Sequence, residues 1–306
     1  MTRTVVERER AMIRASFTPG FSVSQPERGR TPSAPYVFCT PHSGRVYPDA
    51  FLETSRLSHS DIRKSEDSFV DELFASVPAL GAPLLAADFP RAYLDLNREP
   101  YELDPQLFAE AVPAFANTRS IRVMSGLGTI ARVVADNEPI YRDVLPVAVA
   151  YERIERLYRP FHRTLAALLE ERRQRFGQVV LVDCHSMPSL SASTARQEER
   201  ADIVLGDRFG MSCTGELTLL LSDALQAEGF RVALNRPYAG GYITEHYGRP
   251  KAGCEAIQIE LNRGLYMDEA RFERLRTFGA VRDAIEAALV RVMETYPLGR
   301  MLDAAE

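Results

Sequence analysis

The stretch QVVLVDCHSMP, residues 178–188, decides the fold. Val179, Val180, Leu181 and Val182 run without a polar break. An uninterrupted apolar run of this length suits a strand that a parallel sheet buries on both faces. The chain then turns polar at Asp183, His185 and Ser186, with Cys184 between them, and Pro188 ends the run. An imidazole at the end of a buried strand has two readings. It is a metal ligand delivered by the strand, or a core histidine satisfied by its neighbours.

The segments on either side set the context. Before the strand lies a stretch with apolar residues at i, i+3 and i+4 over about 147–175, closed by Gly177, which predicts one long helix. After it come ADIVLGD as a strand, GELTLLLSDALQAEGF as a helix, RVALN as a strand and EAIQIELNRGLYM as a strand with a polar end. The segment 269–296 supplies the last helices. Upstream, YVFCT, APLLAADF and RAYLDLN read as strands, and DPQLFAEAV as a short helix. Ser65 as an N-cap, acids after it and Phe69, Val70, Leu73 and Phe74 at helical spacing predict a helix over about 66–76. Strands alternating with long helices imply an α/β protein, a three-layer α/β/α sandwich with a mostly parallel or mixed central sheet. Residues 1–34 read as an amino-terminal arm or extension without a core of its own, and 35–306 as a single domain.

Composition limits the functions available. The 306 residues are 45% hydrophobic and 26% charged, with a net charge of -5, so no basic surface invites nucleic acid. No window is long and apolar enough to span a membrane, and MTRTVVERERAMIRASF lacks the apolar run of a signal peptide. The expectation is a cytoplasmic enzyme acting on a small molecule. A homo-oligomer is compatible with the sequence. None of the four cysteines forms a CxxC pair, so a cysteine-based zinc cluster is not expected.

Four strand-like segments end in polar clusters: VFCTPHSGR, YLDLNRE, VLVDCHSMP and IQIELNR. Ligands of open α/β sheets bind beyond the carboxyl ends of the strands. This places His42, Asn97, Arg98, His185 and Glu260 around one candidate pocket. Two imidazoles with a carboxylate form a metal-binding set, and a separate carboxylate is a general base. Arg98 suits a substrate carboxylate. No HExxH helix is present, and neither Ser43 nor Ser186 lies in a GxSxG elbow. Of the other histidines, His162 reads as a surface or core-edge residue, His59 as part of a polar loop, and His246, in GGYITEHYG, as a residue that could approach the pocket but need not.

The motifs PHSGRVYP, DSFVDELF, RAYLDLNREP, LVDCHSMP, NRPYAGGYITEHYG and QIELNRGLYMDE occur in that order. In this the chain resembles the N-formylglutamate amidohydrolase family over residues 35–268. The resemblance implies a phosphorylase/hydrolase-like fold akin to zinc carboxypeptidases and aspartoacylases. It implies one Zn²⁺ per chain, although this ligand set also accommodates other divalent transition metals. It also implies release of formate from N-formyl-L-glutamate, a step of histidine degradation. His42 and His185 match the imidazole ligands. Carboxypeptidase-like enzymes carry a Glu three residues after the first histidine, and Arg45 stands there in this sequence. Asp67 or Asp71 is then the third ligand, Asp67 preferred because it sits in the first turn of the expected helix. Asn97 and Arg98 resemble the pair that holds the substrate carboxylate, and Glu260 the general base. Asn235 and Tyr238, with Gly240 and Gly241, are expected at the rim, touching substrate. Two other readings remain: a related hydrolase of another N-acyl amino acid or small peptide, and a non-catalytic binding protein of the same fold.

Overall fold

The computed structural model describes residues 2–27, 33–134, 137–189 and 201–296. The chain divides into two compact units. The first takes Met1–Ser22, Pro41–Ser68 and Ala86–Thr164, the second Val23–Thr40, Phe69–Leu85 and Leu165–Glu306.

The second unit is organised by a sheet of seven strands. They are β1 (Phe21–Ser24), β2 (Tyr36–Thr40), β3 (Leu84–Ala87), β4 (Val179–Met187), β5 (Ile203–Gly206), β6 (Val232–Leu234) and β7 (Cys254–Asn262). Their order is β1-β3-β2-β4-β7-β5-β6. β4 runs parallel to β2 and to β7, β5 runs parallel to β6, and β5 meets β7 antiparallel. The sheet is mixed and flanked by helices, as the alternation of segments predicts.

The two faces of the sheet differ in kind. Strand residues alternate between faces, and paired residues share one. Tyr36, Phe38, Val180, Val182, Cys184, Ile257 and Ile259 fall on one face. They form a single core with Leu217, Leu221 and Leu225 of the helix Gly215–Ala227 and Ile285, Leu289 and Val292 of the helix Phe278–Thr295. Each such fully buried aliphatic side chain contributes about 1.5–3 kcal/mol by leaving water. The other face begins apolar, with Val37, Leu181 and Ala256, and becomes polar toward the carboxyl ends. Asp183 pairs in register with Gln258, and His185 with Glu260. The helix Tyr242–Tyr247 packs on β4 and β7, and the Gly241 N–H at its start donates to Gln258 Oε1 at 2.8 Å.

In the first unit, part of the expected amino-terminal arm is the helix Thr2–Ser16. Met12, Ile13 and Phe17 are buried, and the Phe17 ring meets those of Phe89 and Tyr93 at 5.6 and 5.4 Å. Residues 28–32 of that arm lie outside the described residues. Arg153 is buried, with Nε 2.6 Å from Glu9 and its guanidinium 3.8 Å above the Tyr93 ring. The long helix predicted over 147–175 spans Val147–Arg153 and Arg159–Phe176, joined by a wide π-turn at Ile154–Tyr158.

DPQLFAEAV forms only a 3₁₀ turn at Pro105–Leu107, and of 269–296 only Phe278–Thr295 is helical, after a short strand at Glu273–Arg274; two further elements depart more. The helix expected over 66–76 is only Val70–Leu73, because Phe69 at φ 66° breaks the helical path before it. Glu66 and Asp67 are loop residues committed to tertiary bonds. RAYLDLN is not a strand but a buried turn segment. Its backbone groups find partners without a neighbouring strand. Tyr93 O accepts from Arg153, Asp95 N donates to Thr129 O, Leu96 O meets His162 Nε2, and Arg98 O accepts from Tyr158. Buried backbone must be hydrogen-bonded, and side chains can do this as well as a ladder.

Candidate metal and active site

The first unit holds His42 just beyond the end of β2. Its Nε2 lies 2.8 Å from Asp95 Oδ1, and its Nδ1 lies 3.5 Å from Asp67 Oδ2. All three side chains are buried. A carboxylate bonded to Nε2 holds the proton there, which leaves the lone pair on Nδ1 facing Asp67. Asp95 also accepts from the Asn97 N–H and from Arg91 Nη2, both at 2.8 Å, and Arg98 Nη2 lies 3.5 Å away. Burial alone would raise the Asp95 pKa, but Arg98, Arg91 and His42 together hold it well below the usual carboxylate range. Asp95 is therefore an anion at neutral pH, as its bond to His42 requires.

Asp67 is fixed through its backbone, since its N–H donates to His42 O at 3.0 Å. Its neighbour Glu66 anchors the loop, accepting from Arg63 Nε at 3.0 Å, Tyr47 at 3.0 Å and Ser68 at 2.6 Å. Gly44 explains the glycine of PHSG. A Cβ there would lie 2.2 Å from Phe89 O and 2.5 Å from Asp88 C, so only glycine lets the chain pass this close.

The second unit repeats the histidine arrangement. His185 Nε2 lies 2.9 Å from Asp183 Oδ1, two residues back on the same strand face. Asp183 Oδ1 also accepts from Cys39 Sγ at 3.3 Å. Burial foremost, and then Asp183, pushes the Cys39 thiol well up, so it stays a neutral donor. Across the pairing, Gln258 Nε2 donates to Glu260 Oε1 at 2.8 Å, and Arg263 Nε donates to Ser186 Oγ at 3.0 Å.

One ligand atom from each of His42, Asp67 and His185 lies within 4.8 Å of the others. Two imidazoles, each oriented by a carboxylate on its far nitrogen, and a buried carboxylate form a donor set that can bind a divalent metal. The donor set fits the metal that the sequence implies. Asp71, on the helix Val70–Leu73, is half-buried and outside this group.

The other expected residues take these places. Asn97 and Arg98 are buried beside Asp95. Arg98 donates from Nε to Leu127 O and from Nη1 to Asn97 O, both at 2.8 Å. Asn235 bonds to Asp207 and to the Phe209 N–H, shaping the turn that precedes the exposed Tyr238. His162 meets Leu96 O, and His246 stacks on Tyr242. Sequence reasoning missed Asp95 and gave Asp183 no role. The i, i+2 spacing of Asp183 and His185 was the available signal for the latter, because it puts both on one strand face.

The chain is similar to proteins of known name. The N-formylglutamate amidohydrolase family model matches residues 34–267. A relative from Pseudomonas aeruginosa named N-formylglutamate deformylase is 30% identical over 280 residues, covering 88% of this chain and 97% of that one. One from Pseudomonas putida with the same name is 29% identical, covering 77% and 82%. The crystal structure of N-formylglutamate amidohydrolase from Ralstonia eutropha is 35% identical at a TM-score of 0.85, covering 92% of this chain and 99% of that one.

Proposed function

Because this chain belongs to the N-formylglutamate amidohydrolase family, we propose that it hydrolyses N-formyl-L-glutamate to formate and L-glutamate. The observation that carries the reading is the paired arrangement of two buried imidazoles, each with an aspartate on Nε2, grouped with Asp67. His42, His185 and Asp67 would hold the metal, and zinc is the ion that the family resemblance implies for this nitrogen and oxygen set, which other divalent transition metals also fit. When bound, it supplies Lewis acidity, polarising a carbonyl and making a neighbouring water more acidic.

The chain's own residues do the rest. Glu260 stands in register with His185, and its Oε1 is held by Gln258. In this reading Glu260 takes a proton from the attacking water. The water oxygen bonds to the formyl carbon, the C–N bond breaks, and Glu260 returns the proton to the departing amine. Asn97 and Arg98 bind the α-carboxylate, and the rim that Asn235 shapes carries Tyr238 toward substrate. Arg98 has five N–H groups, two of which serve carbonyls, so donors remain for a carboxylate. The four cysteines are free thiols, which supports the cytoplasm as the compartment. No helix among the described residues is long and apolar enough to cross a membrane.

The test is metal analysis and formate release for the wild type and His185→Ala. One metal per chain with formate released by the wild type, and both lost in the variant, supports the reading. Metal bound without formate release rejects the substrate. Unchanged metal content in the variant rejects His185 as a ligand.

A further inference from the structure

β7 carries two polar side chains on the face that it shares with Asp183 and His185 of β4. Gln258 and Glu260 stand two residues apart there, and both are buried. The amide of Gln258 is engaged at both ends. Its Nε2 donates to Glu260 Oε1, and its Oε1 accepts from the Gly241 N–H, each at 2.8 Å. A backbone N–H can only donate, and an ionised carboxylate can only accept. Turning the amide over would set donor against donor and acceptor against acceptor. The Gly241 N–H therefore decides which end of Gln258 faces Glu260.

The turn that carries this N–H is itself held in place. Ala239 O accepts from the Arg208 N–H at 2.8 Å. Gly241 O accepts from Thr244 Oγ1 at 3.0 Å and from the Glu245 N–H at 3.1 Å. The turn also lies close against the end of β5. A Cβ on Gly206 would fall 2.7 Å from Ala239 C and from Gly240 N, so only glycine allows the approach. Gln258 thus leans on a fixed point of the backbone.

We propose that Gln258 is a positioning residue, which takes its orientation from the Gly241 N–H and holds the Glu260 carboxylate in the rotamer that meets the attacking water. This rests on the amidohydrolase reading above, in which Glu260 is the base. A glutamate side chain turns about several torsions, and burial alone does not choose among them. A general base works only within hydrogen-bond reach of the proton it takes, and at a narrow range of angles. A directed N–H supplies that choice, and a bond to a carboxylate is stronger in a buried place than in water.

The experiment measures formate release and metal content in a double-mutant cycle of Gln258→Met and Glu260→Ala. Methionine keeps the length and bulk of Gln258 and removes both bonds. With Glu260 present, kcat should fall about 10- to 100-fold, as for a misplaced catalytic group, while KM stays within about threefold and one metal per chain is kept. In Glu260→Ala there is no carboxylate to hold, so the same change should alter the residual rate by less than about twofold. Gln258→Asn, one methylene too short to span both partners, should repeat this split and stands in if Gln258→Met does not fold. An unchanged kcat, a change confined to KM, a loss of metal, or the same drop in both backgrounds overturns the inference and leaves the amidohydrolase standing. Full activity in Glu260→Ala overturns it as well, by removing the base. If the wild type releases no formate from N-formyl-L-glutamate, the amidohydrolase reading fails, and crystal structures of wild type and Gln258→Met decide the positioning by themselves. A Glu260 carboxylate that turns to a new rotamer in the variant keeps it, and one that stays in place removes it.

Discussion

Replacing Asp95 with asparagine tests how the first imidazole is held. Asp95 Oδ1 accepts from His42 and from the Asn97 N–H, while Oδ2 faces Arg91 and Arg98. An amide keeps the shape but has one acceptor oxygen. Two guanidinium groups on one side compete for it against a neutral ring and one backbone N–H on the other, and the cations win. The amide nitrogen then points at His42 Nε2 and donates to it. The imidazole proton is driven to Nδ1, the atom that faces Asp67. Asp183→Asn is the internal comparison. Asp183 Oδ1 receives His185 and a weak thiol donor from Cys39. There the amide oxygen can stay on His185. Losing an oriented partner of a metal-binding histidine costs about 10- to 100-fold in metal affinity. We expect Asp95→Asn at the top of that span, about 2.8 kcal/mol, and Asp183→Asn near the bottom, about 1.4 kcal/mol. Competition for zinc against a coloured chelator, below each variant's melting temperature, measures both. Equal losses, or a larger loss at Asp183, would refute the argument that the arginines dictate the amide orientation.

Two further expectations follow from the same geometry. Glu260→Gln should retain one metal per chain yet lose about 10²- to 10⁴-fold in kcat, the usual range for a general base, and formate release with near-wild-type rate would remove Glu260 from that role. Gly44→Ala forces a methyl against the backbone of residues 88 and 89. It should cost about 3 kcal/mol and lower the melting temperature by roughly 5 to 10 °C, whereas a melt unchanged within a degree or two would show that the close approach relaxes freely.

The sequence made some of this legible and hid the rest for physical reasons. β4 was readable because burial on both faces leaves an unbroken apolar run, and its polar end stands out against it. His42 and His185 were legible the same way, as polar residues that interrupt apolar strands, and Glu260 is proposed on the same pattern. Asp67 was found for a poorer reason. Its neighbours look like the start of a helix, yet the backbone there serves His42, and Glu66 serves Arg63 and Tyr47. Local pattern cannot distinguish an acid that caps a helix from one held by a tertiary bond. Asp95 left no signal at all, because its partner lies 53 residues away and its segment borrows hydrogen bonds from side chains instead of a neighbouring strand. The amino-terminal helix was hidden by its charge. Only Met12, Ile13 and Phe17 are inserted, and Glu9 is charged yet supports the core through Arg153.

The wide turn at Ile154–Tyr158 makes one helix behave as two shafts joined by a phase coupling. Upstream of it, Arg153 is set by Glu9 and the aromatic rings; Tyr158 at its end and His162 downstream are set by the carbonyls of Arg98 and Leu96. A single angular setting of a regular helix need not satisfy both. The additional residue of a π-turn supplies the offset. Trimming one residue there would swing the downstream half by about 100°. The helix would survive, but the two side chains that clasp the Leu96–Arg98 backbone would turn away from it. The timing of that turn, more than the identity of any residue within it, keeps the arginine aimed.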